Sequence, residues 1–167
     1  MPYDLEYSTD STFAMGVQTV SSATRPNLDN TMILLLQGLT PATRYYIRFK
    51  FGGQVDQVKG SFRTFPAAGQ VGHYVLTAGS CQETADMDVF LEIPRHNPDI
   101  FLHLGDWTYP SYQLPSNYPE DWTMVEESWR RRYAEINMRE MLYNMPIDYV
   151  YDDDDFTEGG SVRNYYT

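Results

Sequence analysis

Three short segments of the sequence contain the side chains best suited to chemistry, and each follows an apolar stretch. Residues 79–82 read GSCQ, residues 105–109 read GDWTY, and residues 152–155 are four consecutive aspartates. Carboxylates are the ligands that hard cations prefer, whereas a thiolate and a phenolate suit a more Lewis-acidic metal such as ferric iron. Brought together, these groups could hold two metals that bind a phosphate oxygen, generate hydroxide at neutral pH and stabilise in-line attack on phosphorus.

The segments differ in what each could contribute to such a cluster. Asp106 could bridge two metals with its two oxygens, and Tyr109, three residues later, could reach the same cluster. Cys81 would bind only as a thiolate, a form that a bound cation favours. The acidic run follows an apolar stretch, where packed carboxylates need a compensating charge. A divalent or trivalent metal is the simplest compensating charge.

Each segment also has an interpretation without chemistry. A lone cysteine after a strand is most often a small buried apolar residue. A Gly-Asp pair is often a turn closed by the aspartate side chain, and an acidic run is usually a solvated loop. His73 and His103 lie inside apolar stretches and are interpreted as packing residues. From the residues alone both interpretations stay open, and the coincidence of three such segments with strand ends is the strongest argument for a site.

The elements that would position these segments alternate in type. Apolar runs predict buried strands at 73–78, 99–104 and 147–151, and helical spacing predicts helices over 86–93 and 120–143. Strands that alternate with helices predict an α/β layered domain. Functional groups in open α/β sheets collect beyond the carboxyl ends of the strands, which is where the three segments lie.

The first 66 residues have a different pattern. Alternating or β-rich runs predict four short strands and a turn cluster at 8–12; the strands fall at 3–7, 31–36, 44–51 and 58–65. Short strands at this spacing favour part of a β-sandwich. A stretch of small residues with Pro and Gly follows at 65–70 and is typical of a linker.

Composition limits the classes of protein that fit. Hydrophobic residues make up 42% and charged residues 21% of 167, which is typical of a globular chain. The net formal charge is −11, which argues against a nucleic-acid binder, because that affinity depends on Lys and Arg. The longest apolar run has five residues, too few to cross a bilayer, and no signal peptide is visible. A single cysteine excludes an internal disulfide.

Order and spacing over 72–156 resemble the PhoD-like alkaline phosphatases, a metallophosphoesterase family. The family pattern runs SCQ, then PD-x-x-LHLGD-x-x-Y, then a helix with R-x-x-Y, then P-x-x-x-x-WDDHD. Here residues 80–82 are SCQ, 98–109 are PDIFLHLGDWTY, 130–133 are RRRY, and Pro146 precedes YDDDD at 151–155.

The upstream residues are similar to the same family. LTPATRYY at 39–46 resembles the L-x-P-x-T-x-Y signature of fibronectin type III domains, in which the Tyr closes a corner of the sandwich. FRTFP at 62–66 resembles the stretch that often ends the family's N-terminal domain. The resemblance implies a partial all-β immunoglobulin/fibronectin-like sandwich at 1–66 and a linker at 67–72. It implies the N-terminal portion of an α/β metallophosphoesterase-type layered domain at 73–167.

The resemblance also implies a ligand set, with iron and calcium in a dinuclear or larger cluster. Cys81 and Tyr109 would bind iron, Asp106 would bridge to a calcium-type site, and Asp153 would occupy the family's second acidic position. Asp154 stands where the family usually has His, a residue expected to contact the phosphate or leaving group, so it is the catalytic candidate. This substitution departs from the family pattern.

The implied function is hydrolysis of a small-molecule or polymer phosphoester, monoester or diester, by hydroxide on the metal site, in an exported protein. The predicted sandwich is shorter than the roughly 90–100 residues of a full domain, and no histidine follows His103. We therefore expect a piece of a longer protein without its C-terminal ligands. Two alternatives stay open: a non-catalytic binding remnant of such a protein, and a calcium-only acidic site at 152–155.

Overall fold

A computed structural model describes residues 2–82, 87–110 and 122–155. The chain divides into two compact units, a first unit of residues 1–74 and a second unit of residues 75–167. The two predicted helices begin at residue 86 and at residues 120–121, and these positions lie outside the described residues. No helix in the described part of the chain is long and apolar enough to cross a membrane.

The described strands of the first unit form one four-stranded antiparallel sheet. Its strands are β1 (Pro2–Ser8), β2 (Gln18–Ala23), β3 (Arg44–Phe51) and β4 (Gln54–Arg63), in the order β2-β1-β3-β4. A single 3₁₀ turn, Pro26–Leu28, follows β2. The strands predicted at 3–7, 44–51 and 58–65 are confirmed, although the last begins and ends earlier than predicted. The sandwich expected from strand spacing stays a prediction.

Alternation explains which face of this sheet is buried. Successive side chains of a strand point to opposite faces, and in β1 the buried apolar residues are Tyr3, Leu5 and Tyr7. On β3, Tyr45 is buried and stacks on Phe62 of the neighbouring strand at 5.7 Å between ring centroids. The Tyr45 hydroxyl oxygen accepts a hydrogen bond of 3.0 Å from the Thr40 backbone N–H, which fixes the chain just before β3.

The strand predicted at 31–36 is wrong. These residues form no strand, and the side chains of Ile33 and Leu35 are 97% and 72% exposed. The sheet position beside β1 is occupied instead by β2, whose sequence QTVSSA is largely polar and exposed. An edge strand can be held by backbone hydrogen bonds to its one neighbour, so hydrophobicity alone does not identify it.

The second unit contains a three-stranded parallel sheet with helices in the connections. The strands are β5 (Leu76–Gly79), β6 (Ile100–His103) and β7 (Ile147–Tyr149), in the order β5-β6-β7. Helix α1 (Val89–Glu92) continues as a 3₁₀ turn, Ile93–His96, and α2 (Trp122–Ala134) and α3 (Ile136–Asn144) precede β7. Among the described residues of this unit, the hydrophobic core cluster contains six buried side chains: Phe90, Phe101, Trp107, Met138, Met141 and Met145.

Several predictions for the second unit need correction. The helix predicted over 120–143 is two helices, because Glu135 has an extended backbone with ψ of 133°. All three strands are shorter than predicted, and of the three only β6 contains fully buried residues, Phe101 and His103. The strands β5 and β7 flank β6 in the described sheet, and Leu76 of β5 is 56% exposed. His103 is buried and packs on Trp107, as predicted, whereas His73 is exposed.

Glu6 on β1 is the basis of a prediction about pH. Its carboxylate is buried and forms ion pairs with two side chains of β3. Arg48 Nη2 lies 2.6 Å from Glu6 Oε2, and Lys50 Nζ lies 3.1 Å from Glu6 Oε1. Burial alone would raise the Glu6 pKa, but the hydrogen bonds and charges of these two cations outweigh it, so the pKa is lowered. A lowered folded-state pKa stabilises the fold above the unfolded-state pKa, and this contribution is lost as the pH falls through the folded-state pKa.

We predict that Glu6→Gln destabilises the first unit by about 1–3 kcal/mol at neutral pH. We also predict that the variant removes part of the acid sensitivity below about pH 4. NMR signals of β1 and β3 amides during urea titrations at several pH values would measure both effects. Asp4→Asn, on the same strand, is the control for loss of a carboxylate. Equal acid sensitivity of Glu6→Gln and the wild type would contradict the account.

Candidate metal centre

The three chemistry-bearing segments follow three parallel strands and therefore leave the sheet at the same edge. The loop after β5 and the loop after β6 run side by side. The Cys81 N–H donates to the Gly105 carbonyl at 3.1 Å, and the Gln82 N–H donates to the Asp106 carbonyl at 2.9 Å. After β7, the acidic run forms a 3₁₀ turn, Asp153–Asp155. The three segments therefore lie beyond the carboxyl ends of the strands, where functional groups of open α/β sheets collect.

Asp106 is the point around which the predicted site residues gather. Its Oδ2 lies 3.5 Å from the Cys81 sulfur and 3.4 Å from the Tyr109 hydroxyl. Asp106, Asp153 and Asp154 each offer a carboxylate oxygen, and these oxygens all lie within 4.8 Å of one another. The structure thus brings the other four predicted residues to Asp106, each through a direct contact or through the group of carboxylates.

The backbone at this edge adopts an unusual conformation. The backbone φ angles of Cys81, Gly105 and Asp106 are 59°, 101° and 57°. Residues other than glycine rarely adopt such positive values. A Cβ on Gly105 would come within 2.6 Å of the Asp152 Cβ. Glycine is therefore required where the loops after β6 and β7 approach each other. Left-handed residues of this kind concentrate at functional sites.

Asp155 joins the loop after β6 to the loop after β7. Its side chain is buried, and its Oδ1 accepts the N–H groups of Trp107 at 2.7 Å and Thr108 at 3.0 Å. Its Oδ2 accepts the N–H groups of Asp106 at 2.9 Å and Asp152 at 3.0 Å. The sequence placed this residue only in the acidic run of a possible calcium site and did not predict that it joins the two loops. The sequence indicates this role only indirectly. A sharp loop after a strand leaves consecutive backbone N–H groups without partners, and such groups need an acceptor such as a carboxylate.

The electrostatics of the cluster favour a cation. Burial raises the pKa of Asp154, and the negative charges of the neighbouring aspartates, Asp106 first, raise it further. Burial also raises the pKa of Tyr109, reinforced by Cys81 and Asp106. Asp106 Oδ1 is buried and accepts no hydrogen bond from the described residues. Crowded carboxylates with an unpartnered buried oxygen, a thiol and a phenol are a donor set that fits a metal.

A cavity of about 370 Å³ lies on the Cys81 side of the cluster. Its lining combines residues of the loop after β5 with apolar side chains of α1 and the sheet, and includes Met87, Val89, Phe90, Ile93, Phe101 and His103. Cys81 and Gln82 belong to this lining as well. The cavity therefore offers a mainly apolar space next to one of the candidate ligands.

Comparison with known proteins agrees with the family resemblance seen in the sequence. Residues 1–66 match the family described as PhoD-like phosphatase, N-terminal domain. The chain is 30% identical over 112 residues to alkaline phosphatase D of Bacillus subtilis (strain 168), a match that covers 65% of this chain. The resemblance to the PhoD-like phosphatases is confirmed.

A solved structure of PhoD shares the fold of this chain. The TM-score is 0.79, over 92% of this chain, at 21% sequence identity. The chain spans 19% of the length of the Bacillus relative and 32% of the length of the solved structure. The fold class, in which a β-rich unit precedes an α/β unit, is therefore supported at the level of the PhoD fold.

Asp155→Asn tests whether the buried carboxylate holds the loops together. An amide N–H would then face backbone N–H groups, and at least one charge-assisted hydrogen bond would be lost. We therefore predict a loss of about 2–4 kcal/mol from the free energy of unfolding of the second unit. Tryptophan fluorescence during urea unfolding measures this unit, because all three tryptophans lie in it. Asp148→Asn, an exposed aspartate on β7, is the control, and equal stability of both variants would contradict the role of Asp155.

Proposed function

We propose that this chain supplies part of the metal site of a PhoD-type phosphoester hydrolase, an alkaline phosphatase or phosphodiesterase. One observation supports it most: Cys81, Tyr109, Asp153 and Asp154 gather around Asp106 at the carboxyl edge of a parallel sheet. When bound, the metals would polarise a phosphoester and lower the pKa of a water molecule.

The residues of the chain would divide the work of holding the metals. Cys81 and Tyr109 offer a thiolate and a phenolate, which suit iron, and the carboxylates suit a calcium-type site. Asp106 lies between the two groups, with one oxygen near Cys81 and Tyr109 and its other oxygen buried without a partner among the described residues. We assign Asp106 the bridging position and Asp153 the second acidic position.

Asp154 is the catalytic candidate, in the position where the family usually has His. A carboxyl group can take the place of an imidazole as a proton donor to phosphate or leaving group only while it holds a proton. The Asp154 side chain is partly exposed beside Asp106 and Asp153, so it can contact a substrate there. The organic part of the phosphoester would occupy the cavity beside Cys81.

The finer architecture and setting belong to the same proposal. We assign residues 1–66 to a fibronectin-like sandwich fragment, 67–72 to a linker and 73–167 to the N-terminal portion of a metallophosphoesterase-type domain. Further ligands would come from residues C-terminal to these, since no histidine follows His103. The protein would be exported, and its substrate would be a small or polymeric phosphoester other than nucleic acid, given the charge of −11.

A second candidate is a non-catalytic binding protein derived from such an enzyme. One observation favours it: Asp154 stands where the family usually has His. The two candidates differ in metal content, because a binding protein needs no stoichiometric iron. Calcium without iron would instead favour a calcium-only acidic site at 152–155.

Elemental analysis of the purified chain for iron and calcium tests the proposal, together with turnover of p-nitrophenyl phosphate and bis-p-nitrophenyl phosphate. We predict that the wild type binds metal and that Asp106→Asn weakens binding at least tenfold, while Asp148→Asn does not change it. Absence of bound metal in the wild type would contradict the proposal for this chain and favour the non-catalytic candidate. Stoichiometric metal without turnover would support the metal site and leave the remaining catalytic groups to residues outside it.

A further inference from the structure

Arg132 is the only fully buried arginine among the described residues and lies on α2. Its guanidinium donates to the backbone carbonyls of two different loops: Nη2 to Gln82 at 2.6 Å and Nε to Trp107 at 2.8 Å. Gln82 follows Cys81, and Trp107 follows Asp106. In each of the two loops, Arg132 therefore contacts the residue that directly follows a candidate metal ligand.

The neighbouring arginines of α2 behave differently. Arg130 and Arg131 are exposed and pair with Glu126 and Glu127 one turn earlier on their own helix, at 3.2 and 2.9 Å. Exposed pairs of this kind contribute little to stability. Three consecutive arginines thus include one that faces the metal site and two that face solvent.

Glu135 compensates the buried charge of Arg132. Its two carboxylate oxygens accept Arg132 Nη1 at 2.8 and 3.0 Å, and Gln82 Nε2 donates to its Oε2 at 3.2 Å. Glu135 is also the residue at which the chain leaves α2 and enters α3, with an extended backbone. The break between the helices therefore places a carboxylate against Arg132 and against the loop after β5.

We propose that Arg132, held by Glu135, is a positioning residue that fixes the spacing between Cys81 and Asp106. The inference rests on the proposed metal site for its functional meaning, but its geometry stands independently. A guanidinium is a rigid planar fork whose donors have fixed directions, so one Arg132 side chain defines the separation of two carbonyls. A lysine keeps the charge but lacks that fork, and an alanine removes both.

Hydrogen–deuterium exchange without added metal tests the positioning role directly. In Arg132→Lys and Arg132→Ala we expect amides at 81–82 and 106–108 to exchange at least tenfold faster, because each loses a charge-assisted anchor. Exchange in β1–β4 should not change. Arg131→Ala is the matched control, since it removes an adjacent arginine of the same helix, and it should leave all of these amides at wild-type rates.

Chemical rescue separates positioning from general packing. Millimolar guanidinium should restore slow exchange at both loops of Arg132→Ala, because the ion fits the space that the side chain leaves. Calcium titration by calorimetry should show at least tenfold weaker binding in Arg132→Ala and Arg132→Lys and recovery of Arg132→Ala with guanidinium.

Two results would overturn the inference. One is unchanged exchange at 81–82 and 106–108 in both Arg132 variants. The other is loss of protection throughout the second unit without rescue by guanidinium, which would indicate a packing role. A wild type that binds no calcium would contradict the calcium-type site of the proposed function, while the exchange data would still decide the role of Arg132.

Discussion

The Asp155 carboxylate accepts four backbone N–H groups, three from the loop after β6 and one from the loop after β7. Four N–H groups satisfy a buried carboxylate whose burial would otherwise be costly. In return, the negative charge ties the loop after β6, which has no regular secondary structure over 104–109, to the loop after β7. Because Asp106 donates one of these bonds, the position of the central candidate ligand depends directly on Asp155.

A second constraint follows from the first, since the same contacts hold several negative charges close together. Two carboxylate charges whose oxygens lie within 4.8 Å of each other repel by roughly 3 kcal/mol or more at an effective dielectric constant of 20. The fold accepts this cost at Asp106, Asp153 and Asp154, and the raised pKa of Asp154 reflects it after burial. A cation between these oxygens would convert the repulsion into attraction, which is why a metal is the ligand that this edge of the sheet fits best.

The sequence predicted the parts of the structure that local pattern controls. Apolar runs identified β5, β6 and β7, and the polar segments that follow them indicated that Cys81, Asp106, Tyr109 and the acidic run at 152–155 lie close together. The family resemblance then singled out Asp153 and Asp154 within that run. The sequence did not predict the parts of the structure that depend on contacts between residues far apart along the chain. The apolar run at 31–36 forms no strand, whereas polar β2 does, because pairing with β1 outweighs hydrophobicity. The break at Glu135 and the inward-facing Arg132 depend on loops 25 and 50 residues away, which no helical periodicity contains.

The central claim is that the edge of the β5-β6-β7 sheet is a metal site centred on Asp106. Anomalous diffraction from crystals of the chain grown with iron and calcium would locate the ions directly. The account predicts a peak about 2.0–2.6 Å from an oxygen of Asp106 and within the same range of an oxygen of Asp153 or Asp154. Well-ordered crystals in which metal lies elsewhere, or in which these carboxylates turn apart into solvent, would contradict it.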